Sequence, residues 1–144
     1  MTVVLHLPIK LTLPETLRLI PRDEDINPLC LALATLRFDL VDSLSLSAQP
    51  HLVICRLSPQ QAKRLPANHG GYMIKLTEGY ELHLKESEVE NWLRFYLAYH
   101  RDGIGSVDHI DLQYPLGQDR LADPRMTVIL QVPKAQISSP RPME

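Results

Sequence analysis

Cysteine, glycine and net charge are all scarce in this chain, and each shortage removes a class of protein. Two cysteines among 144 residues allow at most one disulfide, which a chain of this size does not need. Cys30 and Cys55 each sit inside an apolar segment, Leu29–Ala34 and Leu52–Leu57, the setting of a buried free thiol. The six glycines form neither a G-x-x-x-x-G-K nor a G-x-G-x-x-G stretch, so the familiar phosphate cradles are missing. Gly103-Ile104-Gly105 follows a helix instead of opening one. No G-x-S-x-G stretch occurs, and His69-Gly70-Gly71 reads as a turn. Asp123 precedes Gln131-Val132-Pro133-Lys134, which lacks the second acid and the spacing of a metal-dependent nuclease.

Fifteen basic residues against seventeen acidic ones give a formal charge of −2, with no basic run. That leaves no overall field to draw in nucleic acid or an anionic membrane, and neither is expected as a partner. No apolar run approaches the roughly 20 residues that a membrane helix needs. Met1–His6 lacks the basic flank and apolar core of a signal peptide. A reducing cytoplasm is the expected location, and no cofactor is expected.

What is present is ordinary globular patterning, with 44% apolar and 22% charged residues. Every odd position from Val3 to Leu13 is apolar, which predicts a strand with one buried face, at a sheet edge or broken at Pro8. Pro14, Pro21 and Arg22–Asp25 predict a loop. Asn27-Pro28 predicts a helix start, and Leu29, Leu33, Leu36 and Leu40 keep helical spacing, giving a helix over about Pro28–Phe38. Ser43–Pro50 reads as polar connection, and His51–Leu57 as a strand buried on both faces. Ser58-Pro59 opens a short helix that ends before Pro66.

The pattern is sharpest from Tyr72 to Val132, where it predicts a ββαββ unit. Tyr72, Ile74 and Leu76, then Tyr80, Leu82 and Leu84, alternate around Gly79 as a hairpin. Ser87 with Glu90 reads as a capping box. The helix after it carries Val89, Trp92, Leu93, Tyr96, Leu97 and His100 on one stripe, with Tyr99 off it. Gly103 reads as its C-terminal cap. Ile110, Leu112 and Tyr114 share one face of the next strand, with His109, Asp111 and Gln113 opposite. Met126, Val128, Leu130 and Val132 form the last strand, and Met73, Val107 and Ile129 are expected on the open face. No internal repeat is visible.

The expected fold is therefore α+β: a mainly antiparallel sheet of about five to six strands with two or three helices on one face. A single domain over residues 1–134 is expected, followed by a flexible tail over 135–144.

The one concentration of chemistry-bearing groups is His100, Asp102, Asp108, His109 and Asp111. Imidazole and carboxylate together suit a divalent cation, so a small metal-dependent hydrolase using His100, Asp108, His109 and Asp111 is one functional reading. Against it, His109 and Asp111 share a strand face while Asp108 points away. The leading expectation is a non-catalytic protein-binding or assembly protein, whose partner is another protein or a second copy. It would act through an open sheet face, a sheet edge or the long Pro115–Arg125 loop, with His109, Asp111, Gln113, Gln118, Asp119 and Arg120 as contact candidates. A sheet that stacks bases on tyrosines is the weakest reading, because Tyr72, Tyr80 and Tyr114 fall on the apolar face.

Overall fold

The computed structural model describes residues 2–12, 16–48, 51–102, 109–116 and 125–133. It is α+β, with strands β1 (Thr2–Val4), β2 (Ile9–Thr12) and β3 (Thr16–Leu19), helix α1 (Ile26–Arg37), and strands β4 (Ser43–Ala48) and β5 (His51–Arg56). Then come helix α2 (Pro59–Lys63), strands β6 (Gly71–Lys75) and β7 (Gly79–Leu84), helix α3 (Glu86–Asp102), and strands β8 (His109–Pro115) and β9 (Arg125–Gln131). A 3-10 turn, Asp23–Asp25, leads into α1.

The strands make two mixed sheets, in the orders β1-β4-β5-β7-β6 and β2-β3-β9-β8. The single, mainly antiparallel sheet expected from the sequence is thus corrected. β5 runs parallel to β7, and β3 runs parallel to β9. The ββαββ elements are present, but α3 carries the chain from one sheet to the other, so its two hairpins pair elsewhere. The β6–β7 hairpin pairs with β5, which the sequence predicts as a strand, and the β8–β9 hairpin with β3; β3, and β4 on the far side of β5, come from segments read as loop and connection. β3 lies between Pro14 and Pro21, and β4 is the serine-rich run before Pro50. Both alternate as strands do, with Leu17, Leu19, Leu44 and Leu46 buried between small or polar neighbours.

Pro8 breaks the first apolar alternation. Leu5 and Leu7 still donate to the Ser45 and Leu46 carbonyls along β4, and the chain then passes into the second sheet as β2. At the opposite seam Met73 bridges Leu116. β5 has one buried face, carrying Leu52 and Ile54, while Val53 and Cys55 opposite are half-buried.

Register corrects the predicted faces of the β6–β7 hairpin. Met73 pairs with Leu82 and Lys75 with Tyr80, so Met73 joins Leu82 in the core and is fully buried. Tyr72 lies on the other face, where its ring stacks on His83 at 4.9 Å. Ile129, on the outer face of β9, is nevertheless buried. Gly79 is required by space: a Cβ there would run into the backbone carbonyl of His51.

The two long helices also differ in detail from expectation. α1 starts at Ile26, with Asp25 as its N-cap, so Asn27 and Pro28 fall in the first turn, where proline costs no hydrogen bond. α3 starts at Glu86, one residue before Ser87. Its buried stripe is Val89, Trp92, Leu93, Tyr96 and Tyr99, while Leu97 and His100 are exposed. At 3.6 residues per turn the stripe drifts onto position 99 and off position 100. The short α2 is capped as predicted, with Ser58 accepting from the Gln61 amide. Pro133 is buried. Gly103, Val107 and residues 135–144 lie outside the described residues.

The inward faces of both sheets and of α1 and α3 form one hydrophobic cluster. Three tyrosine hydroxyls tie α3 into it. Tyr96 donates to the Gln131 carbonyl at 3.3 Å and Tyr99 to Asp23 Oδ1 at 3.0 Å. Tyr114 accepts from Trp92 Nε1 at 3.0 Å and donates to Glu88 Oε2 at 2.5 Å. Burial holds the Tyr114 phenol far above the usual tyrosine range, so the hydroxyl keeps the proton it donates. Tyr114→Phe leaves the indole N–H of Trp92 without this partner, and is expected to cost about 1–3 kcal/mol. Urea unfolding followed by the fluorescence of the single tryptophan measures it; a loss under about 0.5 kcal/mol would mean that water replaces the hydroxyl.

Candidate functional site

Helix α1 has more apolar residues than one buried stripe can hold. Ile26, Leu29, Cys30, Leu33 and Leu36 face the core. Leu31 and Phe38 do not: they are 66% and 62% exposed. Seven residues apart, they lie on one side of the helix about 10 Å from each other along its axis. Leu40, just beyond, is 69% exposed. The predicted stripe ran on to Leu40, but the helix ends before it.

The ending of α1 fixes where these side chains stand. Asp39 adopts a left-handed φ of 62°. The Asp39 amide donates to the Leu36 carbonyl at 3.1 Å, and the Leu40 amide to the Thr35 carbonyl at 2.8 Å. This pair of bonds is the Schellman arrangement. The apolar residue at the position of Leu40 commonly folds back onto its helix in that motif, whereas here it projects outward.

Arg37 anchors the same corner. Its guanidinium lies 4.6 Å from the centroid of the Phe38 ring, a cation–π arrangement. It also reaches Glu86 at 2.7 Å and Glu90 at 2.9 Å on the first turns of α3. Arg56, at the end of β5, joins Glu86 at 3.3 Å and Asp39 at 3.4 Å, and Arg94 joins Glu90 at 2.5 Å. Each exposed pair contributes little on its own. Together they hold Arg37, and through it the Phe38 ring, in one place. The hydrogen bond from Arg37 also draws the Glu90 carboxyl below the usual glutamate value, despite some opposing desolvation.

The histidines and carboxylates singled out in the sequence are less gathered. His109 and Asp111 share the outer face of β8, exposed, with Nε2 and Oδ1 3.7 Å apart. Gln113 is exposed on that face as well. His100 is exposed on α3. Asp108, Gln118, Asp119 and Arg120 lie outside the described residues, as does the side chain of Asp102. Among the described residues, no three His, Cys, Asp or Glu side chains are placed to hold a metal ion, and no helix is long and apolar enough to cross a membrane.

On the outer face of the first sheet, register sets Cys55 beside His83, whose Nε2 is 3.1 Å from Glu81 Oε1. The composition resembles that of a thiol nucleophile and its base, but the electrostatics run the other way. Burial, then the charge of Glu81, raises the Cys55 thiol above its usual value, and thiolate is the reactive form. Burial pushes Cys30 up to about 11. Both cysteines are free. A cleft of about 220 Å³ between α2 and the start of α3 is lined by Arg56, Lys85 and Glu86; Lys85 Nζ there donates to the Pro66 carbonyl at 2.9 Å. No protein-family model, no curated protein and no solved structure matches the chain.

Two outcomes follow from these charges. A depressed carboxyl, as at Glu90, stabilises the fold above the ordinary glutamate pKa, and that stabilisation is lost as pH falls through the lower folded value. Arg37→Ala is therefore expected to melt below the parent chain at pH 7, with the gap closing as the pH drops below the ordinary glutamate range. A melting-temperature series against pH tests this, and a constant gap would contradict it. At pH 8 both native cysteines are expected to react slowly with a disulfide reagent, Cys55 before Cys30, and both rapidly in denaturant; a fast native Cys55 would point to an activated thiol.

Proposed function

We propose that this is a non-catalytic binding protein whose partner is another protein, and that the outward corner formed by Leu31, Phe38 and Leu40 is the contact surface. The observation that carries this reading is the exposure of three large apolar side chains on one helix and its C-terminal turn, with the aromatic ring clamped by a networked arginine. Clustered exposed apolar residues rimmed by polar ones are typical of protein–protein contacts, and a central aromatic with an adjacent arginine is the usual make-up of a binding hot spot. Because Arg37 already holds the ring, little side-chain freedom remains to be lost on association. The outer face of β8, with His109, Asp111 and Gln113, is polar and suits the rim of such a contact better than its centre.

Photo-cross-linking in the native host tests the proposal. A cross-linking residue at Leu31 or Leu40 is expected to give a discrete adduct that Phe38→Ser abolishes. The triple change Leu31→Ser, Phe38→Ser and Leu40→Ser is expected to alter unfolding stability by no more than about 0.5 kcal/mol, as for other surface changes. An adduct from Gln113 alone would move the contact to the β8 face, and no adduct from either surface would sink the reading. Light scattering of the pure chain separates self-association from capture of a different protein.

A further inference from the structure

We infer that the chain is a covalently fused pair of ββαββ units, each completed by hairpins of the other, so that the surface between the units is a dimer interface that fits a second ββαββ unit. The first unit is β2-β3-α1-β4-β5 and the second β6-β7-α3-β8-β9. In each, the first two strands form an antiparallel hairpin, the helix crosses to the other sheet, and the last two strands form another. The last strand of each unit then runs parallel to the second strand of the other, as β5 beside β7 and β9 beside β3. The helices are antiparallel: Arg37 at the end of α1 meets Glu86 at the start of α3, and Tyr99 near the end of α3 meets Asp23 just before α1.

Over β3 and α1 against β7 and α3 the correspondence holds residue by residue. On α1 the core positions are Ile26, Leu29, Cys30, Leu33 and Leu36; on α3 they are Val89, Trp92, Leu93, Tyr96 and Tyr99, at one constant separation along the chain. The same separation, without a gap, carries the buried Leu17 and Leu19 of β3 onto the buried Tyr80 and Leu82 of β7. The two parallel ladders extend the correspondence to the last strand of each unit. Leu52 stands beside Tyr80 and Ile54 beside Leu82 in one; Val128 stands beside Leu17 and Leu130 beside Leu19 in the other. Leu52 thus corresponds to Val128 and Ile54 to Leu130, all four buried. Strand direction and helix phase agree separately, so chance would need two coincidences. The side chains have diverged, Cys30 against Leu93 and Leu33 against Tyr96, which hides the repeat from the sequence.

Neither unit holds both strands of either parallel ladder, so each alone leaves ladder groups and one helix flank without their partners. The join over residues 57–70 has a modest task. Arg56 and Gly71 both pair with Leu84, from opposite sides, so it bridges two strand spacings, about 10 Å. The two units also separate the fold's needs from the partner surface: Leu31 and Phe38 fall at the equivalents of Arg94 and Arg101, both exposed on α3. The fold therefore does not demand apolar groups there. The pairing of units stands independently of what binds that surface.

Cleaving the full chain in the join tests the inference. A protease site is inserted between Gln61 and Ala62, on α2, or in a second variant between Ala67 and Asn68. After cutting, the two fragments are expected to co-elute at the mass of the intact chain and keep its far-ultraviolet spectrum. Their urea midpoint is expected to rise with protein concentration, as for any associating pair, while the uncut protein shows no such rise. Fragments that separate, cut protein that loses its structure, or a midpoint independent of concentration would each overturn it.

Discussion

The two parallel ladders, β5 on β7 and β3 on β9, carry the architecture, because each joins a strand from the first half of the chain to a strand from the second. Backbone groups in a sheet interior must find partners or lose free energy. In each half the inner strand of either hairpin finds its second partner only in the other half. Everything else is arranged around that exchange. The helices lie antiparallel, their inward stripes merge into one cluster with both sheets, and the hydroxyls of Tyr96, Tyr99 and Tyr114 fasten α3 to β9, to the turn before α1 and to β8. The join between the halves adds little to this, and its short helix buries no residue.

The same antiparallel helix pair produces the corner proposed as the contact surface. It brings the end of α1 to the start of α3, so that Arg37 lies between Glu86 and Glu90 and over Phe38. An exposed ring on a free helix end would sample several rotamers. Here the ion pairs, modest in energy at this exposure, act mainly through position. On the other half of the molecule the equivalent positions carry arginines, and the helix packs as well. That contrast separates the requirements of the fold from whatever holds Leu31 and Phe38 outward.

Much of the fold was legible locally. The β6–β7 and β8–β9 hairpins, the helix over Val89–Tyr99, the capped turn at Ser58 and the break at Pro8 all follow from alternation, helical spacing and proline chemistry. The misses share a cause. β3 and β4 are strands of leucines alternating with threonine, arginine or serine, with proline on both sides of β3 and after β4, so their composition suggested connection while their period did not. Tyr72 and Met73 exchanged faces because hairpin register, set by which residues of the turn pair, decides orientation. Of the candidate site, Leu31 and Leu40 were visible only as a surplus of leucine around α1, and Phe38 only as a helix end.

The sequence by itself determined the α+β class, the identity and inward faces of most elements, and the lack of the familiar catalytic and phosphate-binding motifs, since these depend on neighbours within a few residues. Tertiary structure alone decided that there are two mixed sheets instead of one, that the two halves of the chain are equivalent, and that a cysteine and a histidine placed side by side carry a thiol with raised pKa. Strand partners, burial and desolvation are set by segments distant in the chain, and local pattern carries no record of which distant segment arrives.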